Sequence, residues 1–285
     1  MSAPFTFVEI FSDPTPRAIV NKRLVTPLFF LAQQTTDLSD DEHKRLFRLL
    51  VLCGKKLVAT WRHLQRFEEI QARTVEKVRL QLSPGPNDAV QIATAQDLFL
   101  EFDEFLVQLK STLDYLVKIP HVLLGNCWNL RTFGDKGGDV VKALQNNVPK
   151  KYENQSRGIE KLVMDKHRSW LEDAIRIRDT LNHCLEGDVN FEVFTVAKVG
   201  TGSDERIHVP SFAPDLTALH YMKVAWSNLI ALVEDFIGAF LCFRLRDGLS
   251  LFHDSVPPDD PRPAWRMMTQ AEVEAASNLP GAERV

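Results

Sequence analysis

The chain has 285 residues, of which 45% are hydrophobic and 25% charged, values that exclude a disordered, fibrous or collagen-like polymer. Its 34 basic residues are outnumbered by 38 acidic ones, giving a net charge of −4. That balance excludes a protein held on nucleic acid by bulk charge, so any such contact must be local. The four cysteines, Cys53, Cys127, Cys184 and Cys242, are far apart in sequence with no Cys-x-x-Cys pair, and read as inert thiols in a reducing compartment. The first residues lack the basic start and unbroken apolar run of a secretory signal. The most apolar stretch, 225–245, carries Glu234 and Asp235 at its centre, each costing about 2.5–3.5 kcal/mol inside a bilayer. It reads as a core helix, with no membrane partner and a cytoplasmic location expected.

In chain order, residues 1–40 hold Pro4, Pro14, Pro16 and Pro27 and read as an N-terminal arm, with only 24–32 apolar enough to dock. From Leu38-Ser-Asp-Asp-Glu42, which supplies a cap and first-turn acids, apolar residues recur at three- and four-residue steps through Leu46, Leu57, Leu64, Phe67 and Val78 to Leu82. About forty residues is long for one globular helix, so a bend near Gly54 or a second helix start is expected, and 83–88 (Ser-Pro-Gly-Pro-Asn-Asp) stops it. Helical spacing resumes from Ala89 to Ile119 through Leu98, Phe102, Leu109 and Leu116, ending at Pro120. A loop containing Gly125, Gly134, Gly137 and Gly138 precedes a short helix, 139–148, stopped by Pro149. A further helix spans about 157–184. The alternation in 189–199 and the short return 206–209 predict a small β-hairpin at about 189–209, the one piece of β-structure expected. Residues 215–246 give the last long helix, and 251–285, rich in proline at first and polar afterwards, read as a weakly ordered tail. The fold class expected is therefore all-α, long antiparallel helices with one hairpin insertion, in a domain at 41–250.

Several familiar chemistries lack their residues. The chain has no phosphate loop ending in Gly-Lys-Ser/Thr, no Gly-x-Ser-x-Gly and, on any expected helix, no Glu-x-x-His pair for a di-iron bundle. Glu101, Asp103 and Glu104 form an acidic run that reads as a solvated helix face, since no histidine keeps spacing with them. No metal and no cofactor is expected. What remains is Arg178-Asp-Thr-Leu-Asn-His183 at the end of the helix at about 157–184. An arginine, a polar residue, three more positions and a histidine resemble the motif of the HEPN superfamily, all-α bundles that include many metal-independent ribonucleases of toxin–antitoxin and antiviral systems. Ser111-Thr-Leu-Asp-Tyr-Leu116 looks like the small-x-Leu-Asp-Tyr stretch of some HEPN helices, and the resemblance covers roughly residues 90–245. Arg246 and His253 fit a looser form of the pattern, where the last helix gives way to the tail.

The resemblance implies a HEPN-type endoribonuclease, a toxin or antiviral effector, that cleaves RNA by attack of the 2′-hydroxyl on the adjacent phosphate and needs no metal. In that reading His183 moves protons at neutral pH and Arg178 holds the phosphate with its planar fork. Asp179 orients one of them, and Asn182 and Arg176 bind substrate. Bases outnumber acids between Lys136 and Arg178, and Tyr152 and Trp170 are available for stacking, although Trp170 reads more readily as core. Five residues of α-helix advance about 7.5 Å and turn about 140°, so Arg178 and His183 cannot share one narrow helix face. A cleft shared by a homodimer would relieve this, and members of the family commonly build one. The resemblance also implies an antitoxin of nucleotidyltransferase type as a partner. Two other readings stand beside this one: a non-catalytic bundle of the same type binding a nucleotide or a protein partner, and a helical scaffold in which the motif is coincidental.

Overall fold

The computed structural model describes residues 15, 18–81, 91–94, 96–125, 128, 130–134, 138–183, 194–199, 206–213, 216–254 and 256–277, and these are mostly helical. The chain enters through a wide π-helical turn (Val20–Val25) and α1 (Thr26–Gln33). The next helix, α2 (Asp40–Gln81), runs for 42 residues. Its start is a reciprocal cap: the Glu42 N–H donates to Ser39 Oγ at 3.3 Å and the Ser39 N–H to Glu42 Oε2 at 2.8 Å. No second helix starts within this stretch, and α2 runs through Gly54 as one helix. Gly54 is buried where α2 meets Leu28 of α1 and Val233, and packing there outweighs the roughly 1 kcal/mol that a mid-helix glycine costs.

The segment expected to begin the second helix instead forms β1 (Gln91–Thr94), and α3 (Gln96–Leu116) follows it. Pro120 does not stop that helix; it sits in the first turn of α4 (Ile119–Leu124), where its missing N–H would have had no partner. The short helix before Pro149 is present as α5 (Gly138–Asn147). Then come a single 3-10 turn (Lys150–Tyr152), α6 (Glu153–Lys166), a π-helical turn (His167–Leu171) and α7 (Glu172–His183). The expected hairpin is β2 (Thr195–Val199) antiparallel to β3 (Arg206–His208); 184–193 and the turn at 200–205 lie outside the described residues. It is not the one β-element, because β1 pairs along the other side of β2, β4 (Ser211–Ala213) pairs with β5 (Leu216–Thr217), and a further hairpin closes the chain. After α8 (Ala218–Leu241) and a 3-10 turn (Cys242–Arg244), β6 (Leu249–His253) and β7 (Trp265–Thr269) pair, and α9 (Gln270–Ser277) starts on its own reciprocal cap between Thr269 and Glu272.

Cross-helix contacts fix the directions. Lys56 meets Gln108 at 2.9 Å, whereas His63, further along α2, meets Glu101 at 2.6 Å, earlier in α3, so the two are antiparallel, and Phe67 packs on Phe102 in the same region. Trp61 packs on Trp226, and Glu68 pairs with Lys223, which makes α8 antiparallel to α2 as well. Phe102 is fully buried among Phe67, Phe194, Phe212 and Tyr221, joining three helices to the strands. The helical stretch 218–244 is long and apolar enough to cross a membrane by composition, yet most of it is buried against the other helices.

Both ends meet the bundle. The docking expected of 24–32 is seen, with Leu24, Leu28, Leu31 and Ala32 in the core and Val20 joining them, and Thr36 and Gln34 are hydrogen-bonded to the backbone of Arg244 and Arg246. The stretch read as a loose tail forms the β6–β7 hairpin, through which Leu251 and Trp265 pack against the core and Ala264 is buried. Arg23 and Glu234, 2% and 1% exposed, pair at 2.6 Å. Arg23 also donates to the carbonyls of Pro257 and Val256, while Glu234 accepts the Ala264 N–H. One buried pair therefore ties the entry segment and the C-terminal hairpin to α8. Proline-rich composition marks a chain without local regular structure, and here the order comes from partners far away in sequence.

Candidate functional site

The motif lies at the end of α7, which stays α-helical from Glu172 to His183. The helix is not the single regular element expected, because the wide turn 167–171 separates it from α6; such turns are frequent at functional positions. Trp170 is buried, in keeping with core, and so are Leu171, Ala174 and Ile175, so this side of the helix is committed to packing and its polar residues face elsewhere.

Arg178 and Asp179 are about one-third exposed, and Arg178 Nη1 donates to Asp179 Oδ1 at 2.7 Å. The charge of Arg178 also reaches Asp103 on α3, which packs beside α7. Burial, reinforced by the neighbouring Glu104, raises the Asp103 carboxyl above the ordinary carboxylate range, and Arg178 opposes that rise. Asp103 Oδ1 is buried with no hydrogen-bond partner among the described residues. The acidic run is thus not a uniform solvated face. Glu101 is partly buried against His63 and 3.7 Å from Arg66, Asp103 is turned toward α7, and Glu104 is exposed. The sequence missed His63 because a histidine 38 residues away keeps no spacing with Glu101.

Arg176 is exposed and bonds Asp173 at 3.3 Å. Positions two apart on a helix do not face each other, so the two arginines work on different sides: Arg178 toward Asp103, and Arg176 with Asp173 toward the buried hydroxyl of Tyr221 on α8, whose acidity is suppressed by burial. Arg176 is therefore not brought together with Arg178. Positions 179 and 183 are one turn apart along one side of α7, while the side chains of Asn182 and His183 lie outside the described residues.

The looser pair separates. The Arg246 N–H is bonded to the Gln34 carbonyl, whereas His253 on β6 is 2.9 Å from Asp235 of α8. Asp114, in the Ser111 to Leu116 stretch, has a structural duty, accepting the Phe133 N–H at 2.9 Å and Lys110 Nζ at 2.7 Å. Of the cysteines, Cys53 is buried, which pushes its thiol up to about 12, and burial pushes Cys242 up to about 11; Cys127 and Cys184 lie outside the described residues. Among the described residues no group of three or more His, Cys, Asp or Glu side chains is placed to hold a metal ion. No family model, curated protein or solved structure matches the chain.

Proposed function

We propose that the protein is a helical-bundle endoribonuclease of HEPN type that cleaves RNA through the segment Arg178 to His183 without a metal ion. The observation that carries this reading is Arg178 itself, a guanidinium held half-buried by Asp179 at the end of a helix that finishes on His183. In this mechanism the phosphate next to the scissile bond displaces Asp179 from one edge of the guanidinium and takes a two-pronged contact in its place. An imidazole at position 183 removes the proton from the 2′-hydroxyl or gives one to the leaving oxygen, and a cyclic phosphate end results. The α-helical phase between positions 178 and 183 leaves one chain short of a closed site, so a homodimer sharing the cleft completes it. A role as a toxin or antiviral effector and an antitoxin partner of nucleotidyltransferase type follow from the same resemblance, and a cytoplasmic setting is proposed from the absence of a secretory-signal pattern in the first residues.

One observation favours a binding module instead: Arg178 already has a carboxylate partner, which a nucleotide or an acidic protein segment could replace without any cleavage. A panel of single-stranded RNAs incubated in EDTA with wild type, His183→Ala and Arg178→Lys separates the two. The ribonuclease reading expects cleavage by wild type and loss in both variants at unchanged melting temperature. Equal cleavage by all three removes the motif from the chemistry. Binding of RNA without cleavage, weakened in Arg178→Lys, establishes the binding module.

A further inference from the structure

A cleft of about 340 Å³ opens where the β6–β7 hairpin folds back on α6 and α8, at the small end of the roughly 300–1,000 Å³ range of ligand pockets. Ile159, Leu162 and Ala239 give it aliphatic walls, and Trp265 gives it an aromatic one. The aromatic wall is fixed. The indole lies directly on Gly238, where an added Cβ would stand 2.5 Å from the ring, and the His253 imidazole meets it edge-on at 5.0 Å.

Gly158 keeps the cleft open. It sits mid-way along α6, where glycine costs about 0.5–1 kcal/mol relative to alanine, yet a Cβ there would meet nothing within 4 Å. Among the described residues no packing neighbour requires the glycine, and Gly158 lines the cleft.

The polar end is the Asp235–His253 pair at 2.9 Å. A carboxylate can only accept, so a neutral His253 carries its proton on Nε2 and presents Nδ1 as an acceptor, which has no partner among the described residues. Among the described residues Asp235 is the acidic residue of the lining and no Lys or Arg lines it, so anions are disfavoured. Cys242 adds a neutral wall, since its thiol donates to the Gly238 carbonyl and burial pushes it away from thiolate.

We propose that this cleft binds a small uncharged aromatic compound with one hydroxyl or N–H donor, of the phenol or indole class, its ring against Trp265 and its donor on His253 Nδ1. The site is built from α6, α8 and the C-terminal hairpin and is independent of the reading of α7. Calorimetric titration of the full chain with 4-methylphenol, toluene and benzoate tests it. The expected result is 4-methylphenol at least tenfold tighter than toluene, with benzoate not bound. His253→Ala should bring 4-methylphenol down to the level of toluene. Gly158→Leu should abolish binding of both while the melting temperature holds or rises, which keeps loss of binding distinct from loss of fold. Equal affinity for 4-methylphenol and toluene, preference for benzoate, binding that survives Gly158→Leu, or no binding of 4-methylphenol would each overturn the proposal.

Discussion

Two arginine–carboxylate pairs of the same chemistry serve different ends because their burial differs. Arg23 and Glu234 are almost wholly buried and every edge of the pair is answered, by carbonyls of 256–260 on one side and the Ala264 N–H on the other. Arg178 and Asp179 are about one-third exposed. In the interior, desolvation makes a broken pair expensive, so the first pair acts as a fixed joint between the two ends of the chain. Near water the partner of an arginine can be exchanged at little cost, and an anion can take the place of Asp179. The comparison shows that an arginine beside a carboxylate says nothing of its role until its solvent access is known.

The largest effect that would break this comparison is at the buried pair. Arg23→Ala leaves Glu234 unpaired inside the protein, and urea denaturation should show a loss of about 3–5 kcal/mol; Arg23→Met with Glu234→Leu should recover part of it. A loss below about 1 kcal/mol in the single variant would mean that the joint carries no weight. At the exposed pair the effect should appear in activity. His183→Ala should lower the rate of RNA cleavage in EDTA by about 10²–10⁴ with no change in melting temperature, and Arg178→Lys should also be impaired because an ammonium loses the planar contact.

A smaller effect sharpens the contrast in stability. Arg178→Ala should cost about 1 kcal/mol or less in the same denaturation experiment, several-fold below Arg23→Ala. The smallest is a pH effect in the loop that receives Arg23. The Arg262 guanidinium, and then the Arg262 N–H, bond the Asp260 carboxyl and hold it down at about 2. Because the folded value lies below the ordinary one, this contribution is present above about pH 4 and is lost as the pH falls toward 2. Asp260→Asn should flatten the dependence of stability on pH in that window and leave it unchanged near neutrality, as followed by denaturation at a series of pH values.

What the sequence determined by itself is what short-range physics controls. The three- and four-residue spacing of Leu57, Trp61, Leu64 and Phe67, and of Phe102, Phe105, Leu109 and Leu113, marked the helices, the Ser39–Glu42 cap fixed where α2 begins, and the alternation around Val196 located the hairpin, because periodicity and capping act within a few residues. The Arg178 to His183 spacing was legible for the same reason, and so was the conflict of phase within it. Tertiary structure alone decided which distant segments meet. Four residues, Gln91 to Thr94, are too few to show alternation and become a strand because β2 offers them an edge. His63 finds Glu101 across 38 residues, His253 finds Asp235 across 18, and Arg23 finds Glu234 across 211. Each of those contacts draws its energy from burial and from a specific partner, and no local pattern in either segment encodes where that partner lies. The joint at Arg23, the turning of Asp103 toward Arg178 and the cleft beneath Trp265 therefore exist only in the folded chain.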